Sequence, residues 1–212
     1  MVKIDKELDL MEESLLKMGK KVVRMHEKVI DALNDANKEI ALDIIKSDDI
    51  INHLEEEIND QAVKSLALLS PVASDLRKVV ADIKIASELE RIGDYAKNIA
   101  IFLIKHDDID ASILDYAQAM EKGFIAMLNE TMECYANRDI DKAFEIPEQD
   151  KEINVLYKEL KEKLKQNHSS YLLEHIFEIS SMLRNIERAG DHTKNICEHI
   201  IYMMKGQHYD FG

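Results

Sequence analysis

Apolar residues recur at intervals of three and four along most of the chain, which is the spacing of one buried face on an α-helix. The last segment shows this most clearly, with apolar or small residues at positions 176, 179, 183, 186, 190, 193, 197, 200 and 204. No segment shows the sustained alternation of apolar and polar residues that marks a half-buried strand. The pattern therefore predicts an all-α protein.

The same periodicity divides the chain into six helical segments. We expect helices near 4–34, 37–69 and 72–105 in the first half, and near 112–137, 141–166 and 169–205 in the second. Only six glycines and two prolines occur in 212 residues, so long uninterrupted helices are favoured. The expected architecture is two tandem three-helix bundles in an elongated protein, with residues 1–108 in the first bundle and 109–212 in the second.

Short polar strings separate these segments. Lys105–Ser112 is expected to join the two halves, and Asn167–Ser170 to form the last turn. Ser70 followed by Pro71 predicts the start of the third helix, because proline fits a first turn and serine can cap the exposed amides. Asp75 would then lie near the positive end of that helix.

The two halves are copies of one unit. The string ELERIGDYAKNIA, which begins at Glu88, is matched ninety-seven residues downstream by NIERAGDHTKNIC. Further upstream, DDIINHLEEEI at Asp48 aligns with DKEINVLYKEL at Asp150 at an offset of 102. The second copy has therefore lost about five residues before the glutamate motif, and it has no clear counterpart of SPVASDLRKV.

The charge balance excludes several classes of function. The chain carries a formal net charge of −14, with a pI of about 5.0, so wholesale binding of nucleic acid is not expected. An acidic surface suits solubility, metal cations or basic partner patches. Cys134 and Cys197 have no metal-ligand or CxxC spacing, which favours a reducing, cytoplasmic setting, and Cys197 is expected to be buried on the apolar face. The opening residues do not resemble a signal peptide, and no apolar run is long enough to span a membrane.

The repeated motif places two carboxylates on one face of a helix in each copy. Glu90 and Asp94 are four residues apart, as are Glu187 and Asp191, so each pair repels unless a cation compensates. A hard metal ion is a good candidate for that cation, because paired carboxylates on helices hold metals in bundle proteins. A solvated acidic face is the alternative. The glycine inside each motif falls on the apolar face, where it would let a neighbouring helix approach closely.

Other residues are weaker candidates for the same metal sites. Asn98 and Asn195 extend each acidic stripe by one turn, while Glu27 and Asp31 repeat the four-residue spacing on the first helix and align with Asn129 and Glu133. The weaker ligand candidates are therefore Asn98, Asn195, Glu27, Asp31 and Glu133. His26 and His192 flank the acidic residues, but a lone helix histidine is more often exposed or hydrogen-bonded. Oxygen ligands discriminate poorly, so the metal could be iron, manganese, zinc or magnesium.

Enzymatic motifs are absent from the sequence. There is no Glu-x-x-His, which argues against a ferritin-like di-iron oxidase, and no phosphate-binding glycine loop or nucleophile motif. Basic runs such as KKVVR and KELKEKLK are expected to be the solvated faces of amphipathic helices. The sequence therefore predicts a non-enzymatic protein. A metal-handling or redox helical protein, and a structural scaffold without metal, remain as alternatives.

The chain resembles the PhoU family of phosphate-uptake regulators. The resemblance rests on ELERIGDYAKNIA, on IERAGDHTKNICEHIIYMMKG, on SDLRKVVADIKIASELERIGD and on the acid-x-x-Ile-Asn-x-Leu strings at Asp48 and Asp150. It implies tandem three-helix bundles, often dimeric, with metal at Glu90/Asp94 and Glu187/Asp191. It also implies a non-enzymatic cytoplasmic adaptor between the ATPase of an ATP-binding-cassette phosphate importer and a phosphate-sensing histidine kinase. Such an adaptor would reach the membrane only through its partners, and would act as a negative regulator of phosphate-starvation genes.

The resemblance is incomplete in two places. The family commonly carries basic residues after the final lysine-glycine, whereas this chain ends in GQHYDFG. The second copy also lacks the Asp-Leu-Arg string that the first copy has at Asp75–Arg77. The two halves are therefore not expected to be equivalent in partner binding.

Overall fold

The computed structural model describes residues 2–35, 37–166 and 170–212. Within these ranges every regular element is helical, which confirms the all-α prediction. The helices are α1 (Val2–Asp35), α2 (Lys38–Leu69), α3 (Ala73–Lys105), α4 (Ala111–Asn137), α5 (Ile140–Glu145), α6 (Asp150–Gln166) and α7 (Ser170–Lys205), with a 3-10 turn at Ile146–Gln149 between α5 and α6. The predicted turn at Asn167–Ser170 lies largely outside the described residues.

Two of the predicted boundaries begin with a side-chain cap. Asn37 precedes α2, and its side-chain oxygen Oδ1 accepts from the backbone amides of Glu39 at 2.9 Å and Ile40 at 3.2 Å. Asp110 precedes α4 and accepts from the amide of Ser112 at 2.8 Å. These caps satisfy amides that have no partner within the helix, so the polar strings do end one helix and begin the next.

The prediction that Ser70 caps the third helix is wrong. Ser70 instead closes α2 in a left-handed conformation, with φ of 48°. α3 begins three residues later, after Val72, whose amide donates to the Asp75 carboxylate at 3.4 Å. Asp75 therefore lies in the first turn of α3, as predicted, and its carboxylate caps the amide of Val72.

The prediction of one helix near 141–166 is also wrong. α5 covers six residues and gives way to the 3-10 turn, which contains Pro147, before α6 begins at Asp150. Proline has no amide hydrogen and clashes with the preceding turn, so it breaks a continuous α-helix. The second proline of the sequence was the signal for this break.

Each half packs as a three-helix bundle, and the two bundles share a long contact. α1, α2 and α3 pack against one another, and α4, α6 and α7 do the same. α3 also packs along α7, and α1 packs along α4, so the motif-bearing helices meet between the halves. This arrangement confirms the prediction of two tandem bundles. The apolar face of α7 is buried as predicted, and burial raises the pKa of the Cys197 thiol to about 12.

Polar contacts buried in the core tie the two halves together. His26 on α1 is fully buried, and its Nδ1 lies 2.9 Å from Glu121 Oε2 on α4. Its Nε2 donates to the Ile92 carbonyl on α3 at 3.0 Å. Nearby, Tyr135 on α4 donates to the buried carboxylate of Asp82 on α3 at 2.7 Å. His26 is therefore a hydrogen-bonded core residue.

None of the described helices combines the length and the apolarity that a membrane span would need.

Candidate functional site

The first acidic motif forms a cluster between α2 and α3. Glu90 and Asp94 are half-buried on α3, and Lys97 follows one turn later. The Lys97 ammonium lies 2.6 Å from Asp48 Oδ2 on α2 and 3.5 Å from Asp94 Oδ1. α2 and α3 are joined by a three-residue turn, so they run antiparallel, and this brings Asp48 beside the motif. Asn52, one turn beyond Asp48, donates to the same carboxylate at 3.4 Å.

The second acidic motif repeats this cluster between α6 and α7. Lys194 lies 2.9 Å from Asp191 Oδ1 on its own helix and 3.2 Å from Asp150 Oδ2 on α6. Asn154 donates to Asp150 Oδ2 at 2.7 Å. Glu187 lies one turn before Asp191. We call the two groups cluster 1 (Asp48, Asn52, Glu90, Asp94 and Lys97) and cluster 2 (Asp150, Asn154, Glu187, Asp191 and Lys194).

Both clusters hold more negative charge than one lysine neutralises. Burial, followed by the neighbouring aspartate, raises the pKa of Glu90 and of Glu187. Burial likewise raises the pKa of Asp150 despite the attraction of Lys194. The pKa of each lysine is also raised, which favours its charged form. For Lys97 the main cause is the hydrogen bond to Asp48, and for Lys194 burial lowers the pKa but the interactions with Asp191 and Asp150 outweigh it. Each cluster therefore favours a further positive charge.

The residue types fit a hard cation, but a lysine holds the central position. Asp48 Oδ1 and Asp150 Oδ1 are buried carboxylate oxygens with no hydrogen-bond partner, which is costly unless a cation or a proton joins them. Among the described residues, however, no three His, Cys, Asp or Glu side chains are already arranged around a common metal position. A cation would have to displace the ammonium of Lys97 or Lys194 and draw the carboxylates together.

Both motif glycines face a neighbouring helix, as the apolar pattern predicted, but only Gly190 is required by a close approach. Gly93 and Gly190 are buried on α3 and α7 where the preceding helix approaches. A Cβ atom at Gly93 would meet Ile51 of α2 at 3.4 Å, an ordinary contact. A Cβ atom at Gly190 would overlap Asp150 Oδ1. In cluster 2 the glycine therefore leaves room for the carboxylate itself.

The weaker sequence candidates lie apart from the two clusters. Glu27, Asp31 and Glu133 are exposed, and within the described residues none of them bonds to a carboxylate of either motif. Asn98 is exposed and lines a cavity between α3 and α7. Asn195 donates to Glu88 at 3.3 Å and not to Asp191. Their role as ligands stays a prediction.

Sequence reasoning missed six residues that complete the clusters, and two of these, Asn52 and Asn154, donate to the buried aspartates. Asp48 and Asp150 supply the buried carboxylates, while Lys97 and Lys194 supply the cations. The signal was present, because Asp-x-x-x-Asn and Asp-x-x-Lys both recur between the copies. In the sequence the first string indicates only the duplication, and the compensating cation was predicted to be a metal ion.

A third polar group, separate from clusters 1 and 2, lies where α3 meets α7. His192 bonds through Nδ1 to Glu88 and through Nε2 to the Tyr95 hydroxyl at 2.9 Å, while His199 lies 3.6 Å from Glu88. Burial acts to raise the pKa of Glu88, but the bonds from His192, His199 and Asn195 outweigh it and lower the pKa to about 2. Glu88 therefore belongs to the contact between the halves and not to cluster 1.

Comparisons with known proteins agree with this geometry. The family model of the PhoU domain matches the chain twice, over residues 15–103 and 118–200, so each match contains one acidic motif. The chain belongs to the PhoU family. The phosphate-specific transport system accessory protein PhoU of Serratia marcescens is 34% identical over 208 residues, covering 95% of this chain and 84% of that protein. A PhoU homologue of Clostridium acetobutylicum is 29% identical, covering 98% of this chain and 97% of that protein.

Solved PhoU structures share the whole fold. The crystal structure of the phosphate transport system regulatory protein PhoU from Streptococcus pneumoniae matches with a TM-score of 0.89 at 28% identity, covering 98% of this chain and all of that one. The crystal structure of PhoU from Pseudomonas aeruginosa matches with a TM-score of 0.85 at 30% identity, covering 96% and 99%. The similarity therefore extends over both bundles and the contact between them.

Proposed function

We propose that this PhoU-family chain is a non-enzymatic regulator of phosphate uptake and phosphate-starvation signalling. The observation that carries the proposal is its similarity, over nearly its whole length, to proteins named as accessory or regulatory components of phosphate transport. In this role it acts on the cytoplasmic side of the membrane. It relays the state of an importer's ATPase to a phosphate-sensing histidine kinase and keeps starvation genes off when phosphate is plentiful.

The proposed role includes a divalent cation at each acidic cluster. Asp48, Glu90 and Asp94 would hold one ion, and their counterparts in cluster 2 would hold the other. The orphaned buried oxygens of Asp48 and Asp150 support this assignment. When bound, the ion would supply positive charge that joins two helices of a bundle more tightly than one ammonium does. We also propose a homodimer, following the family resemblance, which sedimentation of the purified protein would test.

Deletion of the gene tests the regulatory role. We expect cells without the protein to express alkaline phosphatase and to take up phosphate in phosphate-rich medium, because repression of starvation genes is lost. The control is complementation with the wild-type chain, which should restore repression. Unchanged phosphatase and unchanged uptake after deletion would remove the regulatory claim, whatever the protein binds.

Metal analysis tests the cation sites separately. Protein purified without chelator should contain iron, manganese, zinc or magnesium, and the variant E90A/D94A/E187A/D191A should lose most of it. The matched control is E27A/D31A/E133A, which removes exposed acids outside the clusters and should keep its metal. Equal metal content in all three proteins would exclude the motifs as ligands. Oxygen consumption with added Fe²⁺ separates this role from redox chemistry, since only an enzyme would turn over.

A further inference from the structure

α1 carries a row of basic side chains that the candidate function does not use. Lys17, Lys20, Lys21 and Arg24 follow one another at helical spacing and face outward on one side of α1, and we call them the basic stripe. Within the described part of the chain, none of the four forms an ion pair. The next lysine along this face, Lys28, is paired with Asp43 at 2.5 Å. The stripe is thus an uncompensated positive region on a chain with a net charge of −14.

The basic stripe is bordered by two depressions, one with three apolar residues in its lining and the other with one. One, of about 320 Å³, lies between α1 and α2, where Lys21 and Arg24 stand over Met25, Ile50 and Ile51. The other, of about 490 Å³, runs along α1 itself and contains Leu16 beside Lys17 and Lys20, with Glu13 at one end. Ile50 is 47% exposed, so an apolar group could reach it directly. The surface therefore offers cations and apolar contacts side by side.

The helix of the second bundle that corresponds to α1 does not carry this stripe. At the offset of 102, the stripe positions correspond to Ala119, Lys122, Gly123 and Ala126 on α4. The second copy thus keeps one of the four charges on the same fold. The stripe is not needed to build a bundle, because α4 has neutral residues at three of the four corresponding positions. This difference between the copies points to a task outside folding.

The whole-molecule charge decides which occupant suits the stripe. An anionic membrane or a nucleic acid presents charge over a wide area, so a chain at −14 is repelled as it approaches. A short acidic segment contacts the stripe alone, and the remaining charges are screened beyond a Debye length of about 8–10 Å. Depressions with apolar lining residues accept individual side chains, which a flat membrane surface does not provide.

We propose that the basic stripe of α1 docks an acidic, amphipathic segment of a partner protein. Carboxylates of the segment pair with Lys17, Lys20, Lys21 and Arg24, and its apolar side chains enter the depressions at Leu16 and Ile50. The inference rests on the accessory role proposed above, which requires a partner, and it names the surface that the partner meets.

A binding measurement tests the chemistry of the stripe. The probe is a fluorescent amphipathic helical peptide with glutamates on one face and leucines on the other, and vesicles of phosphatidylserine form a second arm. The stripe variant K17Q/K20Q/K21Q/R24Q is compared with K158Q/K161Q/K163Q/K165Q, which removes as many exposed charges from α6. Because each exposed ion pair contributes little, we expect roughly fourfold or greater weakening from the loss of four charges, in the stripe variant only, and weaker binding at high salt. Equal affinities for the two variants, or binding to vesicles but not to peptide, would overturn the proposal.

Photo-cross-linking in cells tests the occupant itself. A photoreactive amino acid at position 16 or 50 should capture a partner segment rich in aspartate and glutamate, and the same group at position 155 on α6 should not. Cross-links to lipid, to this chain or to segments without excess acid would each contradict the proposal. Gene deletion separates the two claims. If regulation is normal after deletion and acidic cross-links still form, the proposed function is wrong and the docking surface stands. If the stripe variant regulates normally and no acidic cross-links form, only the docking surface is wrong.

Discussion

The two acidic clusters have the same members but different surroundings. Lys97 of cluster 1 is 32% exposed and bonds only within α2 and α3. Lys194 of cluster 2 is 14% exposed, and it also donates to the Gly212 carbonyl at 3.1 Å, because the chain after α7 folds back over it. Cluster 2 is therefore the more enclosed site, and its lysine is held by one more bond.

This difference separates what the duplicated unit requires from what each copy has acquired. The shared part is a buried carboxylate on one helix and a lysine on the next helix that bridges the two, with a glycine in each motif. The acquired parts are the contacts between the halves, the closing segment after α7 and the basic stripe. Each acquired part makes the two copies unequal and can be removed by mutation. Four predictions test the contacts between the halves, the difference between the motif glycines and the closing segment.

The largest effect is expected at the contact between His26 and Glu121. Both side chains are fully buried, and at the offset of 102 their counterparts are Leu128 and Gly19, so this pair joins the halves only once. His26→Leu would leave the Glu121 carboxylate buried without a partner, because its Oε1 forms no hydrogen bond and its Oε2 bonds to His26. Breaking a buried pair from one side costs about 3–5 kcal/mol, which urea unfolding would measure.

A double-variant cycle is the control for that prediction. H26L/E121L removes both polar groups, as in the apolar counterpart, and should be less destabilised than either single variant. If the double variant loses the sum of the two single losses, the pair is not coupled and the contact between the halves is only apolar packing.

The second prediction concerns Glu88, whose counterpart in the second copy is Asn185. The pKa of Glu88 falls from 4.5 to about 2 on folding, so the folded state favours its ionised form by up to about 3 kcal/mol. That stability is fully present above pH 4.5 and is lost as the pH falls toward 2. Glu88→Gln should lower the free energy of unfolding by about 2–3 kcal/mol at neutral pH and flatten this acid limb. Asn185→Ala should change it by less than about 0.5 kcal/mol. An unchanged acid limb in the Gln variant would contradict the assignment.

Much of the fold could be predicted from the sequence because the apolar spacing of a helix is a local pattern. The spacing of apolar residues gave five of the six segments to within two residues of their observed ends, and the duplication gave the two bundles. The error at Ser70 arose because serine occurs at either end of a helix, and packing decides which. The break at Pro147 was indicated by the proline itself, which the apolar spacing does not reveal. The carboxylate motifs were visible as strings. Their partners Asp48 and Asp150 were not assigned, because which residues of two helices face each other depends on how the helices pack.

The third prediction compares the two motif glycines. Gly190→Ala would push its new methyl group into Asp150 Oδ1 and displace that carboxylate from Lys194 and Asn154, which we expect to cost about 1–3 kcal/mol. Gly93→Ala meets only Ile51 at ordinary contact distance and gains helix propensity, so its unfolding free energy should stay within about 1 kcal/mol of the wild type. Thermal unfolding of the two variants side by side measures the difference. Equal losses at both sites would mean that the two clusters are packed alike.

The smallest effect is expected from the closing segment after α7. Gly206, at φ of 70°, turns the chain back, and Tyr209 and Phe211 pack edge-on against Phe144. The segment then reaches cluster 2, where the Gly212 carbonyl accepts from Lys194. Removing residues 207–212 deletes that bond and the contacts to Phe144.

Removal of residues 207–212 should therefore lower the unfolding free energy by about 1–2 kcal/mol, because it deletes the bond from Lys194, the bond from the Phe211 amide to Glu198 and the partly exposed ring contacts. Amide exchange should quicken in the last turns of α7 while the equivalent turns of α3 stay as protected as before, because Lys97 has no such partner. Exchange that quickens equally in both helices would show a general loss of stability. No change in either would show that the closing segment does not hold Lys194, and that the two clusters are equivalent in solution.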